Sequence, residues 1–208
     1  SLSQSTVSVA RASIASGDTT LVTLIARDAS GNRLTGGGLT VAFGLGAGTS
    51  SGTYGTVADS ANGKYTAVFT GTTSGTARTL SATINSSTVT STMPTVTVTP
   101  GTFSLSQSTV SVARASIASG DTTLVTLIAR DASGNRLTSG GLTVAFGLGS
   151  GTSGGTFAPV ADSANGKYTS VFTGTTSGTA RTLSATINSS TVTSTMPTVT
   201  VTPGTFSL

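Results

Sequence analysis

Cysteine, histidine, tryptophan and glutamate are all missing from this 208-residue chain. Without cysteine there is no disulfide and no thiolate chemistry. Without histidine or cysteine, the usual nucleophile–base pairs of covalent catalysis cannot be built. No planar tryptophan platform for sugar rings exists. Charge is scarce: charged residues are 8% of the chain, against roughly 25% in ordinary globular proteins. No apolar run approaches the ~20 residues that a membrane-spanning helix requires, so no membrane insertion is expected of this segment.

What is present is serine, threonine, glycine and asparagine, residues that suit strands and turns and keep a surface polar without charge. The formal net charge is +4, but the cations of the first half, Arg11, Arg27, Arg33, Lys64 and Arg78, are spread singly and return singly in the second half. Nucleic-acid binding needs a clustered basic footprint, and none forms, so no nucleic-acid partner is expected.

The chain repeats itself. Ser1-Leu2-Ser3-Gln4-Ser5-Thr6-Val7 returns as Ser104-Leu105-Ser106-Gln107-Ser108-Thr109-Val110, and the offset of 103 holds throughout. Seven positions differ between the copies: 36, 47, 51, 54, 55, 56 and 67 against their partners. Five of these fall between Ala47 and Thr56, in a Gly/Ser/Thr-rich stretch that reads as a surface loop. Domains are expected at 1–101 and 102–204, with 205–208 opening a third copy. A period near one hundred residues is too long for solenoid or propeller units of ~20–50 residues, and each copy is long enough to fold alone.

Within one copy the apolar residues alternate, which is the strand period. Strands are expected over 5–11, 19–27, 39–45, 53–58, 64–70, 78–85 and 88–99, the last interrupted by Pro94 and therefore read as an edge strand or a bulge. Inward positions are Val7 and Val9, Val22, Leu24 and Ala26, Leu39, Val41, Phe43 and Leu45, Tyr65, Ala67 and Phe69, and Leu80, Ala82 and Ile84. Asn62-Gly63 is a hairpin signal. The resulting fold class is all-β: two tandem immunoglobulin-like β-sandwiches. An odd number of crossings would put the chain's departure opposite its arrival, so that successive domains run end to end. The connection Thr99-Pro100-Gly101-Thr102-Phe103 is short.

Several segments together resemble a known family. Ala26-Arg27-Asp28-Ala29-Ser30-Gly31-Asn32-Arg33-Leu34, Leu39-Thr40-Val41-Ala42-Phe43, Asp59-Ser60-Ala61-Asn62-Gly63-Lys64-Tyr65 and Gly75-Thr76-Ala77-Arg78-Thr79-Leu80-Ser81-Ala82-Thr83-Ile84-Asn85 are similar to the bacterial Ig-like domains of the invasin/intimin type. Arg33 departs from the pattern, which often carries proline after Gly-Asn. The resemblance implies tandem repeats of an adhesin on the bacterial cell surface, stacked as a stalk that projects a distal binding domain. It implies no enzyme and no cofactor. The partners would be neighbouring repeats of the same chain, and host or matrix surfaces reached through other domains.

Candidate sites are few. Asp28, Asn32, Asp59 and Asn62 could offer oxygens to calcium, which needs six to eight of them; turn-stabilising Asx hydrogen bonds are the preferred reading. Lys64 and Lys167 follow a hairpin glycine and are expected to be solvated rather than crosslinked. Asn85-Ser86-Ser87 and Asn188-Ser189-Ser190 match a glycosylation sequon and read as polar turns. Tyr54 and Phe157, in the variable stretch, are the candidate ligand-binding aromatics of an alternative function, a multivalent glycan- or matrix-binding repeat. The preferred reading tucks these rings onto the sandwich edge.

Overall fold

The computed structural model describes residues 1–205; Phe206-Ser207-Leu208, most of the expected start of a third copy, lie outside the described residues. The chain divides into two units, Ser1–Gly101 and Thr102–Leu208. Among the described residues every regular element is a strand.

In the first unit these are β1 (Thr6–Val9), β2 (Ser13–Ala15), β3 (Thr19–Ile25), β4 (Val41–Leu45), β5 (Ser51–Tyr54), β6 (Ala58–Asp59), β7 (Lys64–Thr73), β8 (Arg78–Ile84), β9 (Ser87–Thr88) and β10 (Thr95–Thr99). One sheet has the order β1-β3-β7-β5, with β6 also on β7; the other has the order β2-β10-β8-β4, with β9 on β8. The second unit repeats this topology. This is the two-layer arrangement of an immunoglobulin-like sandwich.

Alternation explains the core. Val22 and Leu24 in β3, Tyr65 and Phe69 in β7, Leu80 and Ala82 in β8, and Val96 and Val98 in β10 are buried, while Leu21 and Val68 between them face outward. Burying one large apolar side chain of this kind is worth roughly 1.5–3 kcal/mol. Buried polar groups are mostly matched, the Ser91 and Ser194 hydroxyls excepted: the Leu39 N–H donates to the Tyr65 hydroxyl at 3.2 Å. The Val98 N–H donates to Oγ of fully buried Ser50 at 2.9 Å.

The strands depart from the sequence-based expectation in three places. The expected first strand breaks at 10–12, and the chain changes sheets there: β1 pairs antiparallel with β3, and β2 pairs parallel with β10. The expected strand at 53–58 is two pieces, β5 and β6, laid along successive halves of β7. The last strand is shorter, and it is no edge: β10 lies between β2 and β8. Pro94 sits just before it, where its missing N–H costs no ladder bond, while its carbonyl accepts from the Leu80 N–H at 2.9 Å.

Within a unit, arrival and departure lie at opposite ends. β1 begins at Thr6 opposite Ile25, which itself faces Lys64. β10 ends at Thr99, whose carbonyl accepts from the Ser16 N–H at 2.8 Å, beside the Gly17–Gly71 bond. β3 runs between these ends, a span of roughly 20 Å.

Candidate functional site

The four candidate calcium ligands are already engaged in hydrogen bonds within the protein, Asp28 and Asn32 with each other and Asp59 and Asn62 with other loops as well. Asp28 Oδ1 accepts from the Asn32 N–H at 2.8 Å, and Asp28 Oδ2 from the Asn32 side-chain amide at 3.0 Å. These bonds hold the Asp28 carboxyl below the ordinary carboxylate range. Asp59 accepts from the Gly38 N–H at 2.6 Å and the Ala61 N–H at 2.8 Å. Asn62 is gripped by Arg33: Nε donates to the Asn62 carbonyl at 2.8 Å and Nη2 to Asn62 Oδ1 at 2.5 Å. The structure thus joins Asp28 to Asn32 and ties Asp59 and Asn62 to other partners. Among the described residues no group of three or more acidic or metal-ligating side chains could hold a metal ion.

Tyr54 and Phe157 lie on the edge strand of their sheets. The Tyr54 ring is 5.8 Å from Phe43 and 5.1 Å from Phe69, centroid to centroid. Phe157 stands 6.0 Å from Phe146 and 5.0 Å from Phe172. Its half-buried position pushes the Tyr54 phenol up to about 12. Lys64 opens β7 opposite Ile25. Asn85 and Ser86 have φ of +50° and +66° and turn β8 into β9, and Asn85 Oδ1 accepts from the Thr40 N–H at 2.9 Å.

The arginines act as loop staples. Arg11 donates to the Thr19 carbonyl and Arg27 to the Gly31 carbonyl at 2.8 Å. Arg78 donates to the Gly46 carbonyl at 3.0 Å. Arg33 and Asn62 also line a shallow cleft of about 290 Å³ with Leu34 and Thr35. Its counterpart in the second unit, lined by Arg136, Leu137, Thr138 and Asn165, measures about 380 Å³.

One important residue was not singled out from the sequence. Phe103, inside the connection, packs against the core of the second unit and bridges to Asp131. The next residue's N–H, of Ser104, donates to the Arg130 carbonyl at 2.7 Å. Its lone aromatic ring in a Thr/Pro/Gly stretch was the available signal. Thr99 is fixed in β10 and Phe103 is fixed on the following unit, so three residues, 100–102, lie between the two.

The sequence profile of the family described as invasin, domain 3, matches residues 1–101 and again residues 104–204. The chain belongs to the invasin domain 3 family. Invasin itself, a bacterial integrin-binding protein, has a crystal structure that aligns with 98% of this chain and 40% of its own at a TM-score of 0.57 and 20% identity, a likeness of fold. The Escherichia coli adhesin FdeC aligns over 97% of this chain and 65% of its own, with TM-score 0.54 and 26% identity. InvD of Yersinia pseudotuberculosis aligns over 97% and 58%, with TM-score 0.52 and 29% identity. The chain therefore spans less than two thirds of each of these relatives. It matches no curated protein sequence. Invasin-type membership assigns it an adhesin-related role and a class of Ig-like domain that is in general non-enzymatic. Adhesins of this class act at the surface of the cell, and no helix among the described residues is long and apolar enough to cross a membrane.

Proposed function

We propose that this segment is a spacer of a bacterial cell-surface adhesin, lying outside the cell and holding a distal binding domain away from it. Its partners are the neighbouring repeats of the same chain, and host or matrix surfaces are met by other domains of the parent. No residue here is assigned a catalytic role. The observation that carries this reading is the placement of arrival and departure at opposite ends of each unit. Such a unit adds its length to an array. Three joining residues, one of them proline, leave little slack. Near-identity of the copies supports it further, since a spacer is lengthened by duplication.

The test is small-angle scattering on this two-unit chain and on chains with three and four repeats. The maximum dimension should grow linearly, by roughly 35–45 Å per repeat, about the length of a sandwich strand with its turns. A dimension that stays flat would mean folded-back units and would end the proposal. Binding to a glycan or matrix-protein array, abolished by exchange of residues 47–56, would favour the multivalent ligand-binding alternative instead.

A further inference from the structure

Each unit turns a hairpin on an Asn-Gly pair, Asn62-Gly63 and Asn165-Gly166. This dipeptide is the one most prone to lose its side-chain amide, because glycine puts no Cβ in the way. The glycine nitrogen attacks Cγ of asparagine, its proton passes to solvent, and ammonia leaves. The product is a five-membered succinimide. Water then opens the ring at either carbonyl, giving aspartate or isoaspartate.

In this structure both reacting groups are held. Arg33 spans Asn62 as a fork, with Nε on the main-chain oxygen at 2.8 Å and Nη2 on Oδ1 at 2.5 Å. With both oxygens of Asn62 pinned to one guanidinium, its side-chain amide is restricted in rotating Cγ toward the Gly63 nitrogen. That nitrogen is occupied too: the Gly63 N–H donates to the Gly36 carbonyl at 2.9 Å. A Cβ at position 63 would lie 2.4 Å from the Leu34 oxygen, so residues 34–36 press directly on the turn. The second unit repeats the arrangement. Arg136 reaches Asn165 at 2.8 and 2.6 Å, and the Gly166 N–H donates to the Ser139 carbonyl at 2.9 Å. The change from Gly36 to Ser139 leaves the bond intact because the acceptor is main chain.

The geometry points to each Asn-Gly turn being a latent deamidation site, kept closed by the fork of Arg33 or Arg136 and the strap carbonyl of residue 36 or 139. Attack requires the turn to open locally first, so its rate follows the population of the opened clamp and not the intrinsic reactivity of the dipeptide. Isoaspartate would add a methylene to the main chain and displace Gly63 from its partner, so conversion is one-way damage to the hairpin.

The two copies provide an internal control. The full chain carrying Arg33→Met, with Arg136 untouched, is held at mildly alkaline pH, and amide loss at Asn62, Asn165 and Asn85 is followed by peptide mass spectrometry. The peptides bearing the two turns differ in mass through the variable stretch. In the parent chain both turns should convert at least about tenfold more slowly than in urea, since two hydrogen bonds must break before attack. In the variant, Asn62 should convert about tenfold faster than Asn165 while Asn85, followed by serine and held elsewhere, stays at its parent rate. Native turns that convert as fast as denatured ones would overturn the proposal, and so would equal rates at Asn62 and Asn165 in the variant. Should Asn85 accelerate in parallel, the unit has loosened as a whole. Arg33→Lys, which keeps the charge and the stem but not the fork, then decides by the same ratio.

Discussion

Two aspartates related by the repeat show how strongly a neighbour sets the worth of one side chain. Asp131 is 2% exposed where Phe103 bridges to it along the main chain, and its carboxylate accepts from the Ser133 and Asn135 N–H groups at 2.9 Å each. Asp28 makes the corresponding Asn32 bond in a less covered loop. Asp131→Ala removes a buried carboxylate from two part-buried donors and should cost about 1–3 kcal/mol in urea unfolding, whereas Asp28→Ala should cost less. Equal costs would remove the role given to Phe103. The carboxyl of Asp28 titrates below its ordinary value of 3.8. Its contribution is therefore present above that pH and is lost as pH falls through the lower folded-state value. Tyr54 behaves oppositely: with its phenol raised to about 12, the unfolded chain ionises first, and stability declines as pH climbs from the ordinary tyrosine value toward 12. Urea midpoints should be level between about pH 5 and pH 9 and fall on either side, and Tyr54→Phe should remove part of the alkaline loss. The Asx pairing of Asp28 with Asn32 was legible from Asp-x-x-x-Asn in a turn. The Arg33 fork was not, because it joins two loops 29 residues apart.

At the level of elements, the alternating apolar residues disclosed the inner faces of β3, β7 and β8, while the buried Ile14, Val89, Val96 and Val98 were not among the expected inward positions and the main-chain breaks stayed hidden. The switch of sheets between β1 and β2 leaves no mark in Ala10-Arg11-Ala12, since it is decided by which edge is free and not by propensity. The stretch read as a variable loop holds a four-residue edge strand, β5, between irregular segments. The differences between copies gather around it: the Tyr54 position touches Phe69. In the second unit the hydroxyl of Ser170, which replaces Ala67, donates to the Ala158 carbonyl at 2.7 Å. Those substitutions are thus local to one strand edge, where a sandwich tolerates change. Position 36 stands apart, facing open space, so a serine there meets nothing. Tolerance stops at Gly52, beside a register shift in β5. A Cβ there would lie 2.1 Å from the Thr70 carbonyl and 2.6 Å from the Phe69 ring. Gly52→Ala should lower stability by about 1–3 kcal/mol, as overpacking does, while Tyr54→Phe at neutral pH should change it by less than about 1 kcal/mol, the order of a single long hydrogen bond. Thermal unfolding of the two variants distinguishes these outcomes.

The molecule as a whole places two interchangeable sequences in one chain. A β3 strand from one copy has a nearly perfect partner in the β7 counterpart of the other, because the two copies share both segments apart from the Ala67/Ser170 exchange. Refolding the two-unit chain from urea should therefore give a lower yield of native protein than refolding one unit at equal mass concentration; equal yields would show that local pairing outruns exchange. The parallel pairing of β2 with β10, with Thr97, Val98 and Thr99 beside Ser13, Ile14 and Ala15, carries a mechanical consequence. Tension along an array pulls β2 back toward its N-terminus and β10 forward toward its C-terminus. Two parallel strands drawn in opposite directions slide past one another, so the bonds between them bear load together and cannot be peeled one at a time. A row of such units under a flowing liquid would yield in steps, one repeat giving way at a time.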